Sequence, residues 1–251
     1  MRFASLGSGS KGNANLVEVD GCCLLFDFGF SLQQTQLRLA KLGKSIKDID
    51  AVFLSHEHQD HIAGVCSLAQ NTDIPLWASP GTARHLPDVR NINHLDLNSS
   101  CQIKDTLEIT PVTVPYDADS PCQFVINSGT CKLGILTDAG HITSHIEKYF
   151  SGLDALMLET NYDEEMLING TYPGFLKQRI SGRLGHLSNR QSAGLLSRIN
   201  SNRLKHVVLM HISEKNNCPE LAANFILDAI EDKDFSLGIS NQNEGLPWVE
   251  I

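Results

Sequence analysis

Between Ser55 and His61 the chain reads Ser-His-Glu-His-Gln-Asp-His, three imidazoles and the carboxylate of Asp60 within six positions, directly after the apolar run Ala51-Val52-Phe53-Leu54. Imidazole nitrogens and carboxylate oxygens ligate zinc, manganese and iron alike. Two such ions held side by side hydrolyse esters and phosphodiesters. Residues two apart in an extended segment project to the same side, so His56 and His58 can grip one ion. Asp60 and His61 fall where the chain turns into an expected helix, and they can face a second ion. Glu57 and Gln59 are expected to point away.

Further along, other chemistry-bearing residues fall at the ends of expected elements. Asp138 follows the apolar stretch Leu133 to Leu136 and precedes Gly140; read alone, Thr-Asp-x-Gly after a strand is a turn. His211 ends the apolar strand His206 to Met210, where a sheet edge delivers a ligand or a hydrogen-bonded structural histidine. His186 precedes a helix start with Ser188 as N-cap, and that end favours an anionic phosphate beside it. Ser8 to Asn13 is small and rich in donors, so it could meet a phosphate or merely connect strands. It is not a Walker A loop, because the Gly-Lys-Ser/Thr ending and the following helix are missing.

The elements that must position these residues alternate along the chain. Short strands are expected at Met1–Ser5, Asn15–Val19 and Cys22–Asp27, with glycine-bearing turns between them. A helix over Leu32–Leu42 takes Ser31 as N-cap and Gly43 as terminator. A buried strand at Ala51–Leu54 leads through the histidine run into a helix from about His61 to Ala69. Strands at Pro75–Ala78, Leu107–Val114, Cys122–Asn127 and Lys132–Thr137 follow, with a helix at Pro80–His85 and a hairpin turn at Asn127-Ser128-Gly129-Thr130. Ser144-His145-Ile146-Glu147 and Ser188-Asn189-Arg190-Gln191 fit capping boxes. Strands at Leu153–Glu159 and His206–Met210, a helix at Pro219–Ile230 and a short final strand complete the pattern. Strands precede helix–strand units in each half, which favours a two-sheet core with helices outside and one domain over 1–251.

Composition sets outer bounds. The 251 residues carry a formal charge of −9, which argues against a broad basic face for nucleic acid without excluding a nucleic-acid substrate. Seven cysteines, two of them adjacent at Cys22-Cys23 and none in a Cys-x-x-Cys pair, read as reduced, mostly buried thiols. No apolar run reaches the length of a membrane span, and the first residues open no signal-peptide core, so the cytoplasm is the expected compartment. The oligomeric state is left open.

The histidine run after a strand resembles the signature of the metallo-β-lactamase superfamily, and the resemblance extends over nearly the whole chain. It is strongest toward the small bacterial YycJ (WalJ)-like branch, a neighbour of RNase Z-type phosphodiesterases. Supporting segments are Ser8–Asn13, Phe26-Asp27-Phe28-Gly29, Thr137-Asp138-Ala139-Gly140, Glu159–Asp163, Gly185–Asn189 and Leu209–Ser213. The resemblance implies a four-layer αββα sandwich of the α/β class and a centre of two divalent ions, zinc, manganese or iron. It implies His56 and His58 on one ion, Asp60, His61 and His211 on the other, and Asp138 bridging both. Asp60 doubles as ligand and proton shuttle, His186 is a proton donor or phosphate ligand, and Asp27 orients the ligands from behind. The implied reaction is phosphodiester hydrolysis, and within the branch a 5′-exonuclease acting on DNA.

One position departs from the family. Val112-Thr113-Val114-Pro115-Tyr116-Asp117-Ala118 matches a motif in which His stands where Tyr116 stands, and that His would be the third imidazole on the ion of His56 and His58. Either Tyr116 coordinates as phenolate, Asp117 or water fills the place, or that first site holds its ion weakly. Tyr162 is a similar change from the Asn-His-Asp of relatives. Two other functions therefore stand beside the phosphodiesterase: hydrolysis of a small-molecule ester, thioester or cyclic phosphodiester, and a metal-binding protein with impaired turnover.

Overall fold

A computed structural model describes residues 1–104, 107–230 and 235–251. The chain forms two compact units, one of Met1–Pro111, Ala118–Cys122 and Ser240–Ile251, the other of Val112–Asp117 and Gln123–Ile239.

The first unit is built on a mixed sheet. Strands β1 (Arg2–Gly7), β2 (Ala14–Val19) and β3 (Cys22–Phe26) run antiparallel, and the turn between the last two places Asp20 and Gly21 at φ 49° and 76°. Two consecutive positive φ values are the requirement of a tight hairpin turn, which Asp-Gly meets. Helix α1 (Leu32–Lys41) starts at Ser31, whose hydroxyl accepts from Gln34 N, and ends before Gly43 at φ 70°. Strand β4 (Ala51–Leu54) then pairs parallel to β3, and the sheet continues in parallel through β5 (Leu76–Ala78) and β6 (Ile92–His94). The chain's last strand, Leu246–Glu250, closes the other edge against β1. Register sets Phe26 beside Phe53 and Phe53 beside Trp77, and their rings stack at 5.3 and 5.8 Å across three strands. The opposite face buries Leu16, Leu25, Val52 and Leu54 under Leu39, Val65 and Leu68 of the helices.

The helix expected from His61 to Ala69 is two helices. α2 (Gln59–Ile62) starts earlier, with His58 at its N-cap, and α3 (Val65–Asn71) follows after a break at Ala63–Gly64. The cause is tertiary: Gly64 N donates to Phe28 O, and a side chain at Gly64 would stand 2.0 Å from Phe30 O. Helix α4 (Pro80–Arg84) is capped by Ser79. Strands β7 (Cys101–Ile103) and β8 (Leu107–Thr113) pair antiparallel, the first of them unforeseen in the sequence, as was β6.

In the second unit β9 (Cys122–Asn127) and β10 (Lys132–Leu136) form the expected hairpin, with Gly129 at φ 82°. β10, β11 (Ala155–Glu159), β12 (His206–Met210) and β13 (Ser236–Ile239) are parallel neighbours. Their continuous apolar runs match strands covered on both faces, and all of β11 is buried. Helix α5 (Ser144–Tyr149) is capped by Thr143 rather than Ser144, because the Thr143 hydroxyl accepts from Ile146 N. Two short helices, α6 (Glu164–Asn169) and α7 (Gly174–Ile180), occupy a stretch whose few apolar residues give no helical period. α8 (Asn189–Arg198) carries the Ser188–Gln191 capping box, and α9 (Pro219–Asp228) follows β12.

The cysteines are less buried than expected: Cys22, Cys23 and Cys122 are buried and the other four half-buried. Burial pushes the Cys23 thiol up to about 12, so it stays protonated. Among the described residues no helix is long and apolar enough to cross a membrane.

Candidate functional site

In both units the chemistry-bearing residues lie just past the C-terminal ends of adjacent parallel strands, the usual place for ligands in open α/β sheets. β3 ends into Asp27 and β4 into Ser55–His61; β10 ends into Asp138, β11 carries Glu159 last, and β12 ends into His211. Asp27, Asp138 and His211 take φ of 64°, 52° and 52°. Left-handed backbone at a non-glycine residue costs on the order of 1–2 kcal/mol and persists where surroundings impose it, often at functional sites.

In the first unit the histidine run is braced from behind by Asp27. Asp27 Oδ2 accepts from His61 Nδ1 at 2.7 Å, and Asp27 Oδ1 accepts from Ser55 N and Ser55 Oγ at 2.8 Å each. Ser55 Oγ in turn lies 2.9 Å from His56 Nδ1. A proton on each Nδ1 therefore leaves the lone pairs of His56 and His61 on Nε2, the arrangement that metal-ligating histidines adopt. The rings of His58 and His61 stand 4.7 and 4.1 Å from that of His56, so the run does gather its imidazoles. Asp60 Oδ2 is 3.5 Å from His61 Nε2. Glu57 points away, as expected, and accepts from Asp119 N at 2.8 Å.

The Ser8–Asn13 loop is part of this cluster. Asn13 Nδ2 donates toward Asp60 Oδ2 at 3.3 Å and His61 Nε2 at 3.2 Å, while Asn13 N donates to Asp60 O at 2.8 Å. Gly29 makes that approach possible: a side chain there would meet Asp60 O at 1.8 Å, and the neighbour is backbone that cannot yield.

The second unit gathers Asp138, His186 and His211 around a residue the sequence reading did not single out. Glu159, fully buried, accepts from His186 Nδ1 at 2.7 Å and from Ala139 N and Leu187 N at 3.0 and 3.3 Å. His211 Nδ1 stands 3.1 Å from Asp138 Oδ1 and 3.5 Å from Glu159 Oε1, and His186 Nδ1 is 3.4 Å from Asp138 Oδ1. A glutamate ending the otherwise apolar strand Ala-Leu-Met-Leu-Glu was the available signal, since a buried carboxylate needs partners.

Tyr116, in the position that departs from the family pattern, is buried, and its hydroxyl lies 3.3 Å from His186 Nε2. Asp117 Oδ2 accepts from Arg179 Nε at 2.8 Å, so its carboxylate is turned to a guanidinium. Burial pushes the phenol of Tyr162 up to about 12, which keeps it protonated at neutral pH.

The donors fit a divalent cation on their chemistry. Ligand atoms of Asp138, Glu159, His186 and His211 all lie within 4.8 Å of one another. Two buried carboxylates so close call for positive charge, and mixed oxygen and imidazole ligands suit zinc, manganese or iron. Three imidazoles and Asp60 offer the same chemistry in the first unit.

A family model described as a beta-lactamase superfamily domain matches residues 23–212. The chain is 30% identical over 243 residues to the Exodeoxyribonuclease YycJ of Bacillus anthracis, covering 95% of this chain and 92% of that protein. It is also 30% identical over 245 residues to the Exodeoxyribonuclease WalJ of Streptococcus pneumoniae serotype 2, covering 95% and 91%. Among solved structures, Zn(2+)-bound PqqB from Methylobacterium extorquens superposes with a TM-score of 0.73 at 18% identity over the whole of both chains. The short form of human tRNase Z does so with a TM-score of 0.67 at 16% identity, covering 100% and 99%. The fold these chains share is the αββα class expected from the sequence.

Proposed function

We propose, for a chain that belongs to the metallo-β-lactamase superfamily in its YycJ/WalJ-like branch, a phosphodiesterase that works through two divalent ions and degrades DNA from a 5′ end. The observation that carries the reading is the group of buried Asp138, Glu159 and His211 with half-buried His186, which offers ligands and a poised imidazole together. The names of the YycJ and WalJ relatives, both exodeoxyribonucleases, support DNA as the substrate.

In this reading His56 and His58 would hold one ion and Asp60, His61 and His211 the other, with Asp138 as a ligand to both. When bound, such ions supply positive charge for phosphoryl oxygens and make water a nucleophile at neutral pH. The chain's own groups handle the protons. Glu159 keeps a proton on His186 Nδ1, so Nε2 is the atom that holds or gives up a proton to the leaving oxygen. Tyr116 hydrogen-bonds that same Nε2 and fixes the ring's rotation. Asp60 serves as ligand and takes a proton in turn. Asp27, through Ser55 and His61, keeps the lone pairs of His56 and His61 on Nε2, the atoms that would ligate.

The test is an assay of the purified protein with Mn²⁺ or Zn²⁺ on 5′-labelled DNA and on bis(p-nitrophenyl) phosphate. Turnover of both is expected, falling at least about 10³-fold in Asp60→Ala, the scale of losing a group that stabilises transition-state charge. Turnover of neither substrate with either metal refutes the reading. Turnover of the small ester alone refutes its DNA part.

A further inference from the structure

The charge of this acidic chain is unevenly spread. From Met166 to Ser213 there is no Asp or Glu, yet the same stretch carries seven Lys and Arg. Arg190, Arg198 and Arg203 are tied to Glu164, Glu147 and Asp154. The remaining cations around α7 are Lys177, Arg179 and Arg183, and they accompany exposed apolar surface. Of the five large hydrophobic side chains exposed among the described residues, Ile168, Phe175 and Leu184 lie in this stretch, with Phe175 at 74%. A solvent-facing aromatic ring carried on the same short segment as exposed cationic side chains suits unpaired bases and phosphates, which bind by stacking and by charge.

This surface is stitched to the candidate catalytic histidine. His186 N donates to Ile180 O at the end of α7, and Asp117 N, next to Tyr116, donates to Leu184 O. The loop between α7 and His186 wraps tightly, since a side chain at Gly185 would stand 2.2 Å from both Arg179 O and Ile180 O. Arg179 is steered by Asp117 yet keeps a side chain that is 60% exposed. Arg183 is exposed and turned toward His141, whose Nδ1 donates to Arg183 O at 2.9 Å. Cation and ring are thus carried on a short segment anchored directly to His186.

We propose that α7 and the loop of residues 181–185 form a ledge for single-stranded nucleic acid, with Phe175 stacking on an unpaired base and Arg183 meeting a backbone phosphate. The ledge rests on the phosphodiesterase reading only for what happens at His186; its own claim is strand binding. An acidic protein without a broad basic face can hold a strand this way, because one stacked base and a few phosphate contacts need only a local patch.

The test is fluorescence anisotropy of the full chain with labelled twelve-nucleotide oligo-dT and oligo-U, with chelator present so that no strand is cut. Phe175→Ala is expected to weaken binding about tenfold, the scale of one lost base–aromatic stack. Arg183→Gln is expected to lower the slope of log affinity against log salt by about 0.7, one phosphate contact on a single strand. Leu37→Ala, an exposed apolar residue on α1, is expected to change neither. A double variant of Phe175→Ala and Arg183→Gln that binds like the parent overturns the ledge, as does tighter binding of a blunt duplex than of the single strand. Hydrolysis of bis(p-nitrophenyl) phosphate on the same preparation separates the two claims. Turnover without any strand binding overturns the ledge and leaves the phosphodiesterase standing; ledge-dependent binding without turnover does the reverse.

Discussion

Asp138→Asn is expected to lower hydrolysis of bis(p-nitrophenyl) phosphate by about three orders of magnitude and to leave the chain folded. The substitution suits the backbone, because Asp138 sits at φ 52° and asparagine tolerates the left-handed region as well as aspartate does. It removes the anion that faces His186 and His211 at 3.4 and 3.1 Å and leaves one acceptor oxygen where two stood. A ligand to two ions, the role proposed for Asp138, would need both oxygens and the charge. Stability is expected to respond differently from activity. Asp138 and Glu159 are both buried in the same group of ligand atoms, and without metal their like charges oppose burial. In chelator the variant should therefore melt no lower than the parent. Wild-type turnover in Asp138→Asn, or a fall in metal-free melting temperature that accounts for lost activity, would remove Asp138 from the centre.

Glu159→Gln is the second large effect. The amide oxygen can still accept from Ala139 N and Leu187 N, so the ends of β10 and β11 stay joined. Its NH₂ group must then face His186 Nδ1, which can pair only by giving up its proton and accepting. That leaves the proton on Nε2 of a neutral ring, which could give it up only by becoming an imidazolate, so the protonated ring that Glu159 supports as the acid is lost. A loss of about 10²–10³ in kcat with little change in KM is expected, since the residue acts on protonation rather than on substrate binding. The pH–rate profile is expected to differ from the parent's, a readout that simple destabilisation would not move. An unchanged profile with a lowered melting temperature would make Glu159 a structural carboxylate only.

Much of this was legible because the histidine run is contiguous. His56, His58, Asp60 and His61 need only a strand and a turn to meet, and β4 and α2 supply both. Strand ends were readable too, so Asp27, Asp138 and His211 could be named from apolar runs that stop beside them. What stayed hidden depends on contacts distant in sequence. Glu159 looks like the polar end of a strand until His186 arrives from 27 residues away. The break at Gly64 follows from the Phe28 and Phe30 backbone, which no helical period encodes. α6 and α7 are too short and too sparsely apolar for a pattern, and β6 and β7 have only three residues each. The Thr143 cap lost to Ser144 in the sequence because adjacent hydroxyls are equivalent until the backbone selects one.

The claim on which all else depends is that hydrolysis of a phosphodiester requires metal held by these residues. Its most direct measurement strips the protein with chelator, returns Mn²⁺ or Zn²⁺ stepwise, and reads bound metal by elemental analysis beside turnover of bis(p-nitrophenyl) phosphate. The account predicts no turnover in the stripped chain and activity that rises with bound metal to two ions per chain. The second ion is expected to bind more weakly than the first, because the motif in which the family carries a further histidine has Tyr116 in this chain. Turnover that survives stripping, or full activity with no bound metal, would contradict it.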